Sequence, residues 1–258
     1  MTTVIGLLHL GLGAIYFSYG LMTIVDLKRG WRTHGFSHFG AAWLAMAFTC
    51  GPHHLDHGAH VIVSGRSGGP LDLISILMAA PAGVIWFLLR LEAMGGGRGD
   101  RHITGTPLWL DLLPAAGFVY LAALFNAALD TAGSAPVFEP KILPNLALIG
   151  LYSAIGGQLA RTQLGNRPHT GGWSVSGTSL AAVMFTCALM HGVYALYATT
   201  GRYDLDIHGY VIDVLSVPAA AYFLWVVAAL HRGVLRDWND SDDLEVGHRP
   251  IATDVRPA

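Results

Sequence analysis

Residues 44–54 read LAMAFTCGPHH, and residues 181–191 read AAVMFTCALMH. Set 137 positions apart, Phe48-Thr49-Cys50 falls on Phe185-Thr186-Cys187, and His54 falls on His191. The chain holds only two cysteines, and this offset makes them coincide. The same offset carries Pro81-Ala82 onto Pro218-Ala219, and an offset of 136 carries Tyr16 onto Tyr152 and Gly20 onto Gly156. The pattern predicts an internal duplication, and both stretches are too apolar for a water-facing helix.

Composition points the same way. Hydrophobic residues make up 53% of the 258 residues and charged residues 12%. Soluble domains carry about 25% charge, so a water-soluble fold is disfavoured. Intrinsic disorder is excluded by the same balance. A net charge of −2 gives no basic footprint for nucleic acid. Two cysteines make no disulfide framework.

A hydrocarbon core of roughly 30 Å needs about 20 apolar residues per helix. Seven runs meet that need: 3–26, 38–65, 71–91, 107–130, 142–161, 176–199 and 205–231. The expected fold is therefore an all-α integral membrane domain over residues 1–236. Repeat A spans about 3–91, a linker helix about 107–130, and repeat B about 142–231. An odd linker keeps both triplets in the same orientation, as in transporters built from parallel repeats. Residues 237–258 turn polar and read as a disordered cytoplasmic tail. Pro52 is expected to bend the second span.

Twelve of the 15 basic residues follow spans 1, 3, 5 and 7, and only Arg66, Lys141 and Arg202 fall on the other side. The positive-inside rule then places the N-terminus outside and the C-terminus in the cytoplasm of a bacterial-type plasma membrane. The first span lacks the charged start and cleavage site of a secretory signal and reads as retained.

The chemistry concentrates in residues 50–60, Cys-Gly-Pro-His-His-Leu-Asp-His-Gly-Ala-His. At about 100° per residue, His53, His54, His57 and His60 share an arc of roughly 120° with Cys50 and Met46. The orientation puts these imidazoles in the outer half of the bilayer. His9 of span 1, His191 of span 6 and His208 of span 7 fall at the same depth. Ionisable groups inside a membrane are costly and point to function, and neutral imidazole is the commonest metal ligand. The expected ligands are His53, His54, His57, His60, His191, His208 and His9, for iron, copper or zinc. Asp56 and Asp213 stand beside them as extra ligands or as general bases on a metal-bound water. His54 and His191 are also the candidate axial pair for a haem. Cys50 and Cys187 read as packing residues. The histidines at 34, 38, 102, 169, 231 and 248 read as solvated on the cytoplasmic side.

Three functions follow. The first is a metal-dependent membrane enzyme, an oxidoreductase before a hydrolase, acting on a lipophilic substrate within the lipid. The second is a transition-metal transporter with the metal ion as cargo. The third is a bis-histidine haem electron carrier. The inner halves of the spans hold almost nothing ionisable, Asn126, Gln158, Thr49, Ser153 and Tyr16 being their main polar groups. A one-sided site favours the enzyme.

Overall fold

The computed structural model describes residues 1–65, 69–104, 140–201 and 207–238, without the side chains of 207 and 208. These residues are nearly all helical: α1 (Thr2–His34), α2 (His38–Ser64), α3 (Pro70–Met94), α4 (Leu143–Thr170), α5 (Val175–Thr199) and α6 (Ile207–His231). The expected linker helix at 107–130 lies outside the described residues, as does the tail from 239 onward.

Five stretches among the described residues are long and apolar enough to cross a membrane: Thr2–His34, Pro70–Met94, Pro140–Thr170, Val175–Thr199 and Gly209–His231. α2 is not among them, although its 27 residues give it ample length. Its histidines and Asp56 lower the hydropathy of the segment that matters most to the site.

Local chemistry sets the ends. Ser37 and Ser174 cap α2 and α5, each hydroxyl accepting a backbone N–H, from Gly40 and Gly177 respectively, at 2.9 Å. α1 and α4 run past their expected ends until Gly35 (φ 74°) and Gly171 (φ 69°) turn the chain into the left-handed region. Pro52 and Pro81 sit inside helices that continue through them.

α1 packs on α2 and α3, α4 packs on α5 and α6, and the two sets interlock through α2 on α6 and α3 on α5. The α1–α2 contact is a backbone approach. A Cβ on Gly13 would lie 2.8 Å from the Leu55 nitrogen, and one on Gly58 would lie 2.8 Å from the Gly6 carbonyl oxygen. Small residues at such crossings let membrane helices close together. Here they press His9 of α1 against the histidines of α2.

One end of the bundle is closed by aromatic rings. Tyr19 stacks on Trp86 at 4.1 Å between centroids, and Trp43 meets Trp86 edge-on at 4.2 Å and Phe223 at 5.9 Å. Asp26 and Arg90 form an ion pair at the same end. Exposed leucines on α1, α3, α4 and α6 (Leu7, Leu21, Leu77, Leu88, Leu146, Leu215) give the outside an apolar surface.

One expectation changes at this end: His38 is half-buried, its Nδ1 2.9 Å from the Tyr222 hydroxyl, whereas His231 is exposed as expected, its Nδ1 3.1 Å from Thr162 Oγ1. The first two tail residues are docked. Asp237 accepts the Phe39 N–H at 2.8 Å, and the Trp238 ring lies tilted against the His34 ring at 5.7 Å between centroids. Asp100, after α3, accepts the Ser176 N–H at 2.9 Å and the Ser174 hydroxyl at 2.6 Å. Burial pushes the Asp100 carboxyl up, but these hydrogen bonds outweigh it and hold the carboxyl below its ordinary value.

Candidate metal centre

Among the described residues, two groups of buried donors stand inside the helical bundle. The first is His9, His57 and Asp72, and the second is His53, His191 and Asp213. Within each group one ligand atom per residue lies within 4.8 Å of the others. Both are sets of two histidines and one carboxylate.

In the first group, Asp72 at the start of α3 is the hub. Its Oδ1 lies 3.1 Å from His9 Nε2 and its Oδ2 3.2 Å from His57 Nε2. His9 Nδ1 meets His54 Nδ1 at 2.9 Å. His9 is fully buried, and His54, His57 and Asp72 are nearly so. His54 is thus the second partner of a candidate ligand.

The second group gathers α2, α5 and α6. His53 Nδ1 lies 2.9 Å from Asp213 Oδ1, without the alignment of a hydrogen bond. Asn145 of α4 ties the other side, with its Nδ2 2.6 Å from Asp213 Oδ2 and its Oδ1 2.5 Å from His191 Nδ1. A carboxylate only accepts, so the Asn145 amide donates to Asp213 and its carbonyl accepts from His191. The His191 proton therefore sits on Nδ1, and Nε2 presents a lone pair. This is the outer partner that metal-binding histidines ordinarily have.

A metal ion fits these donors. Two histidines and a carboxylate form the set of non-haem iron sites and, with water, of catalytic zinc sites. In the second group His53 Nε2 is buried without a hydrogen-bond partner, and His53 Nδ1 and Asp213 Oδ1 face each other at 2.9 Å without hydrogen-bond alignment, a pair of donors that a cation between them would engage. A zinc-like ion holds tetrahedral donors about 3.3 Å apart. Groups already within 4.8 Å reach that by side-chain adjustment.

The tyrosine ring of Tyr194 lies between the groups, 4.6 Å from the His57 ring and 5.2 Å from that of His53. Tyr16 lies 5.5 Å from His54, and Tyr152 lies 5.4 Å from His191. His54 and His191 border one narrow cavity with Cys50, Tyr152 and Cys187.

Of the residues expected from sequence, His9, His53, His57, His191 and Asp213 fall in the two groups, and His54 is hydrogen-bonded to the first. His60 and Asp56 are half-buried and belong to neither, Asp56 facing Gly209. The His208 side chain lies outside the described residues. Sequence reading missed Asp72, Asn145 and Tyr194. A signal for Asp72 exists: Asp72-Leu-Ile-Ser75 matches Asp213-Val-Leu-Ser216, one helical turn away from the 137-residue offset. Asn145 stands 136 positions after His9.

No protein-family model, curated protein or solved structure matches this chain.

Proposed function

We propose that the protein is a seven-helix membrane protein holding two transition-metal ions, one at each His/Asp group, and acting as a redox enzyme on a lipophilic substrate. The observation that carries this reading is the pair of buried sets, each of two histidines and a carboxylate. Such sets leave coordination positions open for substrate or oxygen. A bound metal would supply one-electron chemistry at those positions. The chain's own groups would orient the ligands: Asn145 holds His191, and His54 holds His9.

The duplication belongs to this proposal, with the N-terminus outside and the C-terminus in the cytoplasm. Its support is a set of matched contacts at offsets of 136 or 137. Ser37 caps through Gly40 as Ser174 does through Gly177. Thr49 bonds back to the carbonyls of Ala45 and Met46 as Thr186 does to those of Ala182 and Val183. Gly20 faces Phe48 as Gly156 faces Phe185. Asp100 holds the start of α5, and Asp237, 137 positions on, holds the start of α2. Each triplet thus caps the second helix of the other.

The transport reading is weaker for a physical reason. In the proposed orientation the Tyr19–Trp43–Trp86–Phe223 wall fills the cytoplasmic half beneath the donors. A cation crossing it would lose its ligands, at a Born-type cost far above thermal energy.

Metal analysis of the purified protein tests the proposal. Two equivalents of iron, copper or zinc are expected per chain. His57→Ala should lose one and His191→Ala the other, with the helical content of both variants unchanged. Full metal content in both variants would reject the sites. Saturable metal uptake into liposomes, abolished in His57→Ala, would replace the enzyme by a carrier.

A further inference from the structure

The two cysteines take no part in either donor group, yet they face one cavity. Cys50 of α2 and Cys187 of α5 border the same cavity at the centre of the bundle. Both are free, Cys187 being buried and Cys50 half-buried. The Tyr152 hydroxyl lies 3.2 Å from Cys50 Sγ, and the imidazoles of His54 and His191 face the same space. Packing alone asks only for small apolar side chains there and does not require two thiols to border one narrow space.

We infer that Cys50 and Cys187 are a redox pair, a dithiol that closes to a disulfide by passing two electrons to a quinone dissolved in the bilayer. The step balances. Each thiol gives up its hydrogen, the Sγ–Sγ bond forms, and two protons and two electrons reduce the quinone to a quinol. The sulfurs close across the shared cavity to about 2.05 Å. Tyr152 and the facing imidazoles are groups able to carry the protons.

The oxidant class follows from location. Thiols among apolar helices in a membrane are shielded from glutathione and other water-borne partners. A two-electron acceptor that reaches them must itself dissolve in lipid. The bond would also tie α2 to α5, joining the two helix triplets at their centre.

The test uses full-length protein in detergent, stripped of metal by a chelator and freshly reduced. It is mixed without oxygen with decylubiquinone, whose fully substituted ring resists thiol addition. The inference expects one quinol per chain and the loss of both thiols to alkylation by N-ethylmaleimide under denaturing conditions, reversed by dithiothreitol. Cys50→Ser and Cys187→Ser should each yield no quinol and keep one alkylatable thiol. Diamide, a small thiol oxidant, serves as the second arm. If neither reagent joins the cysteines, the pair is refuted. If diamide joins them and the quinone does not, the assigned acceptor is refuted. The metal-free protein keeps this outcome separate from the metal proposal, which fails or stands on its own analysis.

Discussion

The two donor groups use the same residue types and differ in how fully they are hydrogen-bonded. Around Asp72 both carboxylate oxygens and the facing histidine nitrogens are engaged, and His9 passes the chain on to His54. Around Asp213, Asn145 engages one carboxylate oxygen, but the other oxygen and both nitrogens of His53 lack hydrogen bonds. A satisfied buried network is stable as it stands, while an unsatisfied one carries the desolvation of each orphaned group. An ion entering the first group replaces bonds already made. An ion entering the second breaks no aligned bond between His53 Nδ1 and Asp213 Oδ1 and relieves that poorly satisfied contact, worth about 1–3 kcal/mol in all. The second group should therefore bind roughly 5- to 150-fold more tightly.

The largest expected effect tests that difference directly. Titration of the metal-free protein with zinc should resolve two classes of site. Asp213→Asn should weaken the tight class by more than about 100-fold, since losing a ligand costs more than losing its outer partner, and leave the weak class in place. Asp72→Asn should do the reverse. Two classes of equal affinity would break the comparison, and so would variants that each lose both ions.

A smaller effect isolates Asn145. Asn145→Ala removes no ligand, but it frees His191 to change tautomer and leaves Asp213 with one fewer donor. Outer partners of this kind are worth about 10- to 100-fold in metal affinity. The loss should fall on the tight class alone, and Asn145→Asp should restore less than the amide gives, because a carboxylate cannot donate to Asp213. Equal weakening of both classes would mean that Asn145 supports the bundle and not the second group.

The same asymmetry explains what the sequence made legible. The run from His53 to His60 announces a site because four imidazoles on one helix arc have no ordinary structural use. His9 and His191 join it through depth, which needs only span boundaries. Asp72 escaped because an acid in the first turn of a helix reads as a favourable partner for the helix dipole, although the side chain is 1% exposed. Asn145 escaped because a neutral amide near the start of a span raises no alarm until His191 is seen to need it. The match of Asp100 with Asp237 is hidden in dissimilar neighbours, Arg-Gly-Asp-Arg against Leu-Arg-Asp-Trp. Helix packing supports the proposed match, because each carboxylate accepts a backbone N–H at the start of a helix in the other set, Asp100 from Ser176 and Asp237 from Phe39.

Those two crossing carboxylates give the smallest effect and carry the comparison from the donor groups to the helix triplets. Asp100 takes two hydrogen bonds at the start of α5, where Asp237 takes one at the start of α2. A carboxylate at a helix N-terminus is worth about 0.3–1 kcal/mol, so Asp100→Ala should lower thermal stability in detergent by no more than that. The folded-state value of the Asp100 carboxyl is depressed. Its contribution is therefore present above the unfolded value near pH 3.9 and is lost as pH falls through the lower folded value. Stability measured between about pH 5 and pH 3 should fall less steeply in Asp100→Asn than in the parent, because the amide has no proton to gain. Identical acid slopes in the two proteins would show that the carboxylate is solvated in practice, and that the capping of α5 rests on Ser174 alone, as a single serine hydroxyl accepting the Gly177 N–H.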